Sequence, residues 1–359
     1  MILALLVLSI IVLFHEFGHF LLARLNGIAV VEFSLGFGPR LFSHVSKKSN
    51  TRYSIKLFPL GGSCAMMGEF DEEEEGTQGA LEPSRTFYSK SPLSRMSVIA
   101  AGPVFNFILA FVFAAVIVAW AGYDPPVVKS VAEGQAAEAA GLKPGDVITK
   151  IGNRRVVISR DMILYMVVHG KQDVALQYKR YDAATDSWKK YETFLDSDRF
   201  TSQGGRYLIG IGFSGYRSPG GSLAEIIKYG AAEVRYGILS VIDSLKELFR
   251  GRVGADDIAG PIRIVSMIDD TVEEVSQYGA VTVIMNLLNL MVLFSANLGV
   301  MNLLPFPALD GGRLVFLLWE FLTRKPVDQR IEGAVTMAGM VLLMTFMVFV
   351  LFNDLRFLF

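Results

Sequence analysis

The sequence predicts a polytopic α-helical membrane protein with about four transmembrane helices, a β-hairpin behind the first and a soluble α+β domain inserted behind the second. Three observations carry this reading. Apolar runs recur at residues 1–25, 96–122, 280–304 and 333–352, each near the roughly 20 residues a spanning helix needs. The composition is mixed: 52% apolar residues and a mean hydropathy of +0.42 exceed an ordinary soluble enzyme, whereas 19% charged residues are too many for a chain lying wholly in lipid. Residues 123–217 differ in kind, mixing charge, glycine and short β-rich runs over a length that suits one small domain.

With 359 residues there is room for two or three domains. A net charge of −1 gives no footprint for nucleic acid, which is not an expected partner, whereas the apolar runs make membrane lipid one. Cys64 is the single cysteine, which excludes an intramolecular disulfide and any CxxC site. The four histidines are His15, His19, His44 and His169.

In order along the chain, residues 1–25 lack a basic n-region and an A-x-A cleavage site, so they read as a first transmembrane helix rather than a signal peptide. Residues 28–70 alternate polar and apolar. Val30–Leu35 and Arg52–Phe58 read as strands, Gly36-Phe37-Gly38-Pro39 as a turn, and Pro59 with Gly61-Gly62 as the second strand's end. This hairpin either dips into the membrane or is an ordinary soluble one. Residues 71–95 form a cytoplasmic loop opening on the acidic run Asp71–Glu75, a solvated surface stretch. The second span, 96–122, holds Asn106 as the strongly polar side chain of its apolar part, for an interhelical hydrogen bond, close packing near Gly102 or a substrate contact. In 123–217, Pro126–Val131, Asp146–Ile151, Asp173–Tyr178 and Tyr207–Phe213 read as strands, and Ala136–Ala140 as a short helix ended by Gly141. Residues 222–272 read as amphipathic helices broken at Gly260-Pro261. The third span, 280–304, leads into a proline-broken segment and a cytoplasmic-side helix over 305–330, and 333–352 is the fourth span.

Lys and Arg crowd the connections between spans one and two and between spans three and four, while Asp269, Asp270, Glu273 and Glu274 precede span three. The positive-inside bias therefore places the inserted domain and both termini outside the cytoplasm. His15 then sits about 20 Å in at 1.5 Å per residue, in the cytoplasmic half of a hydrocarbon core about 30 Å thick.

The chemistry concentrates in His15-Glu16-Phe17-Gly18-His19, which reads H-E-x-x-H inside the first span. Residues i and i+4 share a helix face, so both histidines can bind one metal, with Glu16 beside them to take a proton from water. Ionisable groups in a membrane-length apolar run default to a functional site. A catalytic zinc takes three protein ligands and keeps one position open. Half of the histidines are already used, so the third ligand is expected to be a carboxylate. Asp310, beyond Pro305-Phe306-Pro307 and before Gly311-Gly312, is the best candidate; it also suits an N-cap of the next helix, and both roles can coexist. Broken backbone at membrane depth is tolerated where it lines a cavity, which a hydrolytic site needs for its water. The ligand types alone also admit other divalent metals.

H-E-F-G-H at 15–19, G-P-V-F-N at 102–106 and N-L-L-P-F-P-A-L-D-G-G at 302–312 together resemble the bacterial site-2 protease family, RseP-type intramembrane zinc metalloproteases with a PDZ domain. Gly36–Pro39 is similar to the family's G-F-G-P turn, and Gly141-Leu142-Lys143-Pro144-Gly145-Asp146-Val147-Ile148 to the G-L-x-x-G-D-x-I signature of bacterial PDZ domains. The resemblance implies Zn2+ held by His15, His19 and Asp310, Glu16 as general base, and substrate contacts from Asn106 and Asn302. It also implies a membrane re-entrant β-hairpin over 28–70 and an extracytoplasmic PDZ-like domain over 123–217. The enzyme would sit in a bacterial cytoplasmic membrane with its active site towards the cytoplasm. Its substrates would be single-pass transmembrane proteins such as anti-sigma factors or remnant signal peptides, and the PDZ-like domain would bind peptide ends or filter by size. An edge strand within 52–68 could hold the substrate extended by strand addition. Two departures stand out: one PDZ-like domain fits where some relatives carry two, and Ser63-Cys64-Ala65 replace Y-V-K in the family's G-G-Y-V-K-M-x-G-E. Two readings of other classes are a non-catalytic membrane-bound PDZ adaptor, which the intact His15, Glu16, His19 and Asp310 argue against, and a metal transporter, which would need further intramembrane ligands.

Overall fold

The computed structural model describes residues 2–68, 83–203, 206–213, 221–252, 254 and 259–358; the acidic run Asp71–Glu75 lies outside them. Helix α1 (Ile2–Leu25) is followed by strands β1 (Val30–Val45) and β2 (Arg52–Met66) and helix α2 (Pro92–Ala121). Then come β3 (Val128–Val131), α3 (Ala136–Ala139), β4 (Val147–Ile151), β5 (Arg154–Arg155), α4 (Ser159–His169), β6 (Val174–Asp182) and β7 (Ser187–Leu195). The short strands β8 (Thr201–Gln203), β9 (Arg206–Leu208) and β10 (Ile211–Phe213) lead to helices α5 (Leu223–Phe249), α6 (Pro261–Ser276), α7 (Ala280–Asn302), α8 (Asp310–Thr323) and α9 (Gln329–Leu358). Four helices, Ile2–Leu25, Pro92–Ala121, Ala280–Asn302 and Gln329–Arg356, are long and apolar enough to cross a membrane, as expected of a multi-pass membrane protein. The chain divides into two compact units, one of residues 1–110 and 253–359, the other of residues 111–252, with α2 contributing to both.

In the first unit the two β-strands fold over on themselves. Glu32 pairs with both Ala65 and Arg52, Leu35 with both Gly62 and Ile55, and Phe42 with Ile55. Two strands therefore make a curled sheet in the order 62–65, 32–35, 52–55, 42–45. The bends fall at Gly36 and Gly38 (φ +87° and +88°) in β1 and at Gly61 (φ +108°) in β2, where a side chain would be strained. This corrects the turn expected at Gly36–Pro39 and the strand end expected at Pro59: glycine and proline here bend continuous strands, as they do at bulges. The fold-over also lets Arg40 grip Glu32 of its own strand through Nε–Oε1 at 2.8 Å and Nη2–Oε2 at 3.1 Å, with Lys56 at 3.3 Å. The 52–55 segment is interior, so the edge strand expected within 52–68 narrows to 62–65. Behind the sheet, Ala23, Ile28, Val30, Met66, Phe87, Val98, Ile99 and Leu317 form a buried cluster.

Two distant contacts lock the rest of this unit. Asp354, fully buried near the end of α9, accepts hydrogen bonds from the backbone N–H groups of Gly260 (3.0 Å), Ile262 (3.1 Å) and Arg263 (3.2 Å). It thereby satisfies the open N-terminus of α6 from another element. Arg95 of α2 pairs with Glu320 of α8 while stacking near Phe87 and Tyr88.

The second unit packs α3, α4 and the sheet β5–β4–β6–β7 around Ile148, Ile151, Met162, Leu176 and Leu195. Fully buried Asp146 takes two bonds from Arg180 (2.6 and 2.7 Å) and one from the Lys143 backbone (2.8 Å), and Arg180 also reaches Gly141 O. That pairing raises the Arg180 pKa and fixes the glycine-rich loop 141–146. Helix α4 and strand β7 belong to this domain although periodicity alone did not single them out. Helix α5 begins with a capping box between Ser222 and Glu225 and is tied to the domain by Arg154–Asp243, Arg160–Glu233 and Arg235–Asp161 ion pairs.

Candidate metal centre

Helix α1 brings His15 and His19 onto one face, one turn apart, as its i, i+4 spacing requires. Both are buried, and their Nε2 atoms lie 3.2 Å from each other. From the other end of the sequence, Asp310 Oδ2 comes within 3.3 Å of His15 Nε2 and 3.4 Å of His19 Nε2. Among the described residues this is the one group of three metal-ligating side chains whose ligand atoms converge. Tetrahedral zinc ligands held at about 2.0–2.1 Å lie about 3.4 Å apart, so the spacing matches a single small ion. Among the described residues, nothing besides the two histidines is paired with Asp310 Oδ2, which also fits an atom kept for a metal.

Asp310 is the first residue of α8 rather than its N-cap: Leu309 holds the cap position and no side chain caps the helix. The preceding loop is tight. Ala308 has φ +78°, and a Cβ at Gly311 or Gly312 would lie 2.1 Å from Leu304 O or 2.3 Å from Phe306 O. The two glycines are thus what allows the proline-broken segment to fold back over the start of α8 and turn Asp310 towards α1.

The histidines are held from behind by α2. Val98 O lies 2.9 Å from His19 Nδ1, and the Asn106 side chain lies 3.1 Å from His15 Nδ1. The approach depends on Gly102, where a Cβ would fall 2.3 Å from His19 Nε2 and 2.6 Å from His15 Cε1. Gly18 does the same on α1, where a Cβ would meet Ala101 O at 2.5 Å.

In front of the ligands opens a cavity of about 470 Å³ lined by His15, Glu16, His19, Asn302 and Asp310 on the helical side and by Gly61–Cys64 of β2 on the other. The sheet edge 62–65 therefore runs beside the three converging groups. Glu16 shares this lining, one residue after His15. Of the two asparagines, Asn302 reaches the cavity, with its Nδ2 3.5 Å from His15 Nε2. Asn106 is fully buried behind the His15 ring and does not line the cavity. His44 lies on the hairpin, and His169 stacks on Tyr165 within α4. The Val98 carbonyl is a partner of His19 that residue identities could not reveal, because a backbone acceptor carries no side-chain signature.

The sequence profile of Peptidase family M50 matches residues 3–346. The zinc metalloprotease RasP of Bacillus licheniformis is 30% identical, covering 99% of this chain and 98% of that protein. The metalloprotease MmpA of Caulobacter vibrioides is 32% identical over 98% of this chain and 94% of its own. The regulator of sigma-W protease RasP of Bacillus subtilis is 29% identical over 97% and 96% respectively.

Proposed function

Because the chain belongs to Peptidase family M50 and is an intramembrane zinc metalloprotease, we propose that His15, His19 and Asp310 hold its zinc and that Glu16 is its general base. The observation that carries this is the convergence of two Nε2 atoms and one Oδ2 atom within 3.2–3.4 Å of one another. Zinc bound there supplies Lewis acidity towards a water and the scissile carbonyl. Glu16 takes the proton of the attacking water and returns it to the departing amide nitrogen. The Asn302 amide, at the cavity wall, donates a hydrogen bond to the oxygen on which charge develops.

The substrates are transmembrane segments of single-pass proteins. A helix shields its own amides, so the segment has to unwind before attack. The edge of β2 at residues 62–65 holds it extended by strand addition next to Glu16. The hairpin exposes Phe37, Leu41, Phe42, Leu57 and Phe58, which supports its lying within lipid as a re-entrant element, since a water-exposed patch of this kind is a liability. The domain of residues 123–217 acts outside the cytoplasm as a PDZ-like reader of trimmed ends or filter of size, a reading supported by the Asp146-anchored loop 141–146. Crowded Lys and Arg in the connection after α1 support a cytoplasmic-side active site in a bacterial inner membrane. By analogy with a relative named as a regulator of sigma-W, anti-sigma factors are the first substrates to try.

The test is cleavage in detergent of a tagged transmembrane segment with a short outer stub. Wild type should yield product, and both Glu16→Gln and a zinc chelator should abolish it, with zinc still bound in Glu16→Gln. Equal product from Glu16→Gln would refute its role as base.

A further inference from the structure

We propose that Asn106 is a positioning residue for His15, its side-chain oxygen accepting the Nδ1 proton so that Nε2 is aimed at the metal. The inference rests on the reading above that His15 Nε2 is a zinc ligand. Nε2 is the nitrogen that faces His19 and Asp310. An imidazole that gives its Nε2 lone pair to a metal is neutral and carries its proton on Nδ1, so whatever faces Nδ1 has to accept. The group there is the Asn106 amide, 3.1 Å away through Nδ2, while Oδ1 of the same fully buried amide has no partner among the described residues. A half-turn of the amide exchanges its two ends and puts Oδ1 on Nδ1–H, giving the oxygen a donor and the ring N–H an acceptor.

The surroundings fit a fixed brace. Buried Ser295 of α7 donates through Oγ to the Asn106 backbone carbonyl at 2.7 Å, pinning this turn of α2. Four to eight residues earlier the same helix offers Val98 O to His19 Nδ1 and makes room at Gly102, so α2 sets the tautomer of both histidines, one by backbone and one by side chain. A substrate or oxyanion contact needs an amide that reaches the cavity, and Asn106 lies behind the ring instead.

The experiment measures Zn2+ affinity of the full chain in detergent by competition with a chromophoric chelator. Asn106→Leu and Asn106→Ala should bind zinc about 10- to 100-fold more weakly, the range for losing an outer-shell partner. Asn106→Asp, which accepts but cannot donate, should return affinity to within a few fold of wild type. Asn106→Ala keeps the test available if the leucine variant does not fold. Near wild-type affinity in both truncations, or Asn106→Asp as weak as they are, would overturn the inference. His15→Ala is the control for the underlying reading: if it leaves zinc affinity unchanged, the ligand assignment itself is wrong. If it weakens zinc while the Asn106 variants do not, only the positioning role falls.

Discussion

Gly62 of β2 backs directly onto Glu16 of α1: a Cβ at Gly62 would lie 3.0 Å from Glu16 Cγ and 3.0 Å from Ser34 O. The carbonyl belongs to the paired strand and cannot swing away, so an added side chain has to push either Glu16 or the sheet edge out of place. Gly62→Val should lower proteolysis by roughly 10- to 100-fold, the scale for misplacing a reacting group by about 1 Å. Zinc content should stay at the wild-type level because no proposed ligand is touched. Cleavage rate and bound zinc measured on the same sample check this, and unchanged cleavage would detach the 62–65 edge from the active site.

Gly102→Ala sets helix propensity against the metal centre. In an exposed helix interior the change would stabilise by about 0.5–1 kcal/mol. Here the new methyl would fall 2.3 Å from His19 Nε2 and 2.6 Å from His15 Cε1. The clash wins, because the histidines are buried and can move aside only by leaving the position facing Asp310. The variant should express in folded form and carry little zinc. Stoichiometric zinc in Gly102→Ala would mean that α2 stands farther from the ligands than these distances indicate.

These cases show what could be read from residues alone. Spanning helices announce themselves by apolar length, and H-E-x-x-H is local, so one helical repeat suffices to pair His15 with His19. Asp310 required the chemical argument that a third ligand be a carboxylate, and its position depends on a loop fold that Gly311 and Gly312 permit but do not announce. The hairpin misled because Gly36, Gly38 and Gly61 mark bends and turns with the same composition; only pairing with two segments of the opposite strand distinguishes them. Strand β7 shows almost no alternation in burial and is defined by its pairing with β6. Helix α4 is short, and its inward residues Met162, Tyr165 and Met166 give barely two turns of pattern. The supports behind the histidines were half legible: Gly102 hinted at close packing, whereas the Val98 carbonyl left no trace.

In the second unit, Asp161 is the member of the α4–α5 ion pairs with most to lose. It is fully buried, accepts the backbone N–H groups of Val157 (2.8 Å) and Ile158 (3.2 Å), and pairs with Arg235 at 2.5 Å. Removing one partner of a buried pair costs about 3–5 kcal/mol. Since the Arg235 side chain is 33% exposed and can rehydrate, about 2–4 kcal/mol is expected for Asp161→Ala. Lys171→Ala, which breaks the exposed pair with Asp198 at 3.3 Å, should change stability by less than about 1 kcal/mol. Denaturant titration in detergent, with hydrogen exchange read in α4 and α5, separates the two. Similar effects from both would mean that the α5 attachment does not depend on its charges.

Cys64 offers a direct view of the bound substrate's conformation. It lines the cavity on the 62–65 edge and is the single cysteine in the chain, so no background thiol competes. A Glu16→Gln enzyme should hold substrate without turning it over. Single cysteines placed in turn along the substrate should then form a disulfide with Cys64 at alternate positions, i and i+2, because an added strand shows successive side chains to opposite faces. A bound helix would instead give crosslinks at i, i+3 and i+4. The strand-addition reading requires the two-residue period over at least two repeats around the scissile bond. A helical period would show that unwinding follows binding at this edge, and the role of residues 62–65 in holding an extended substrate would have to be abandoned.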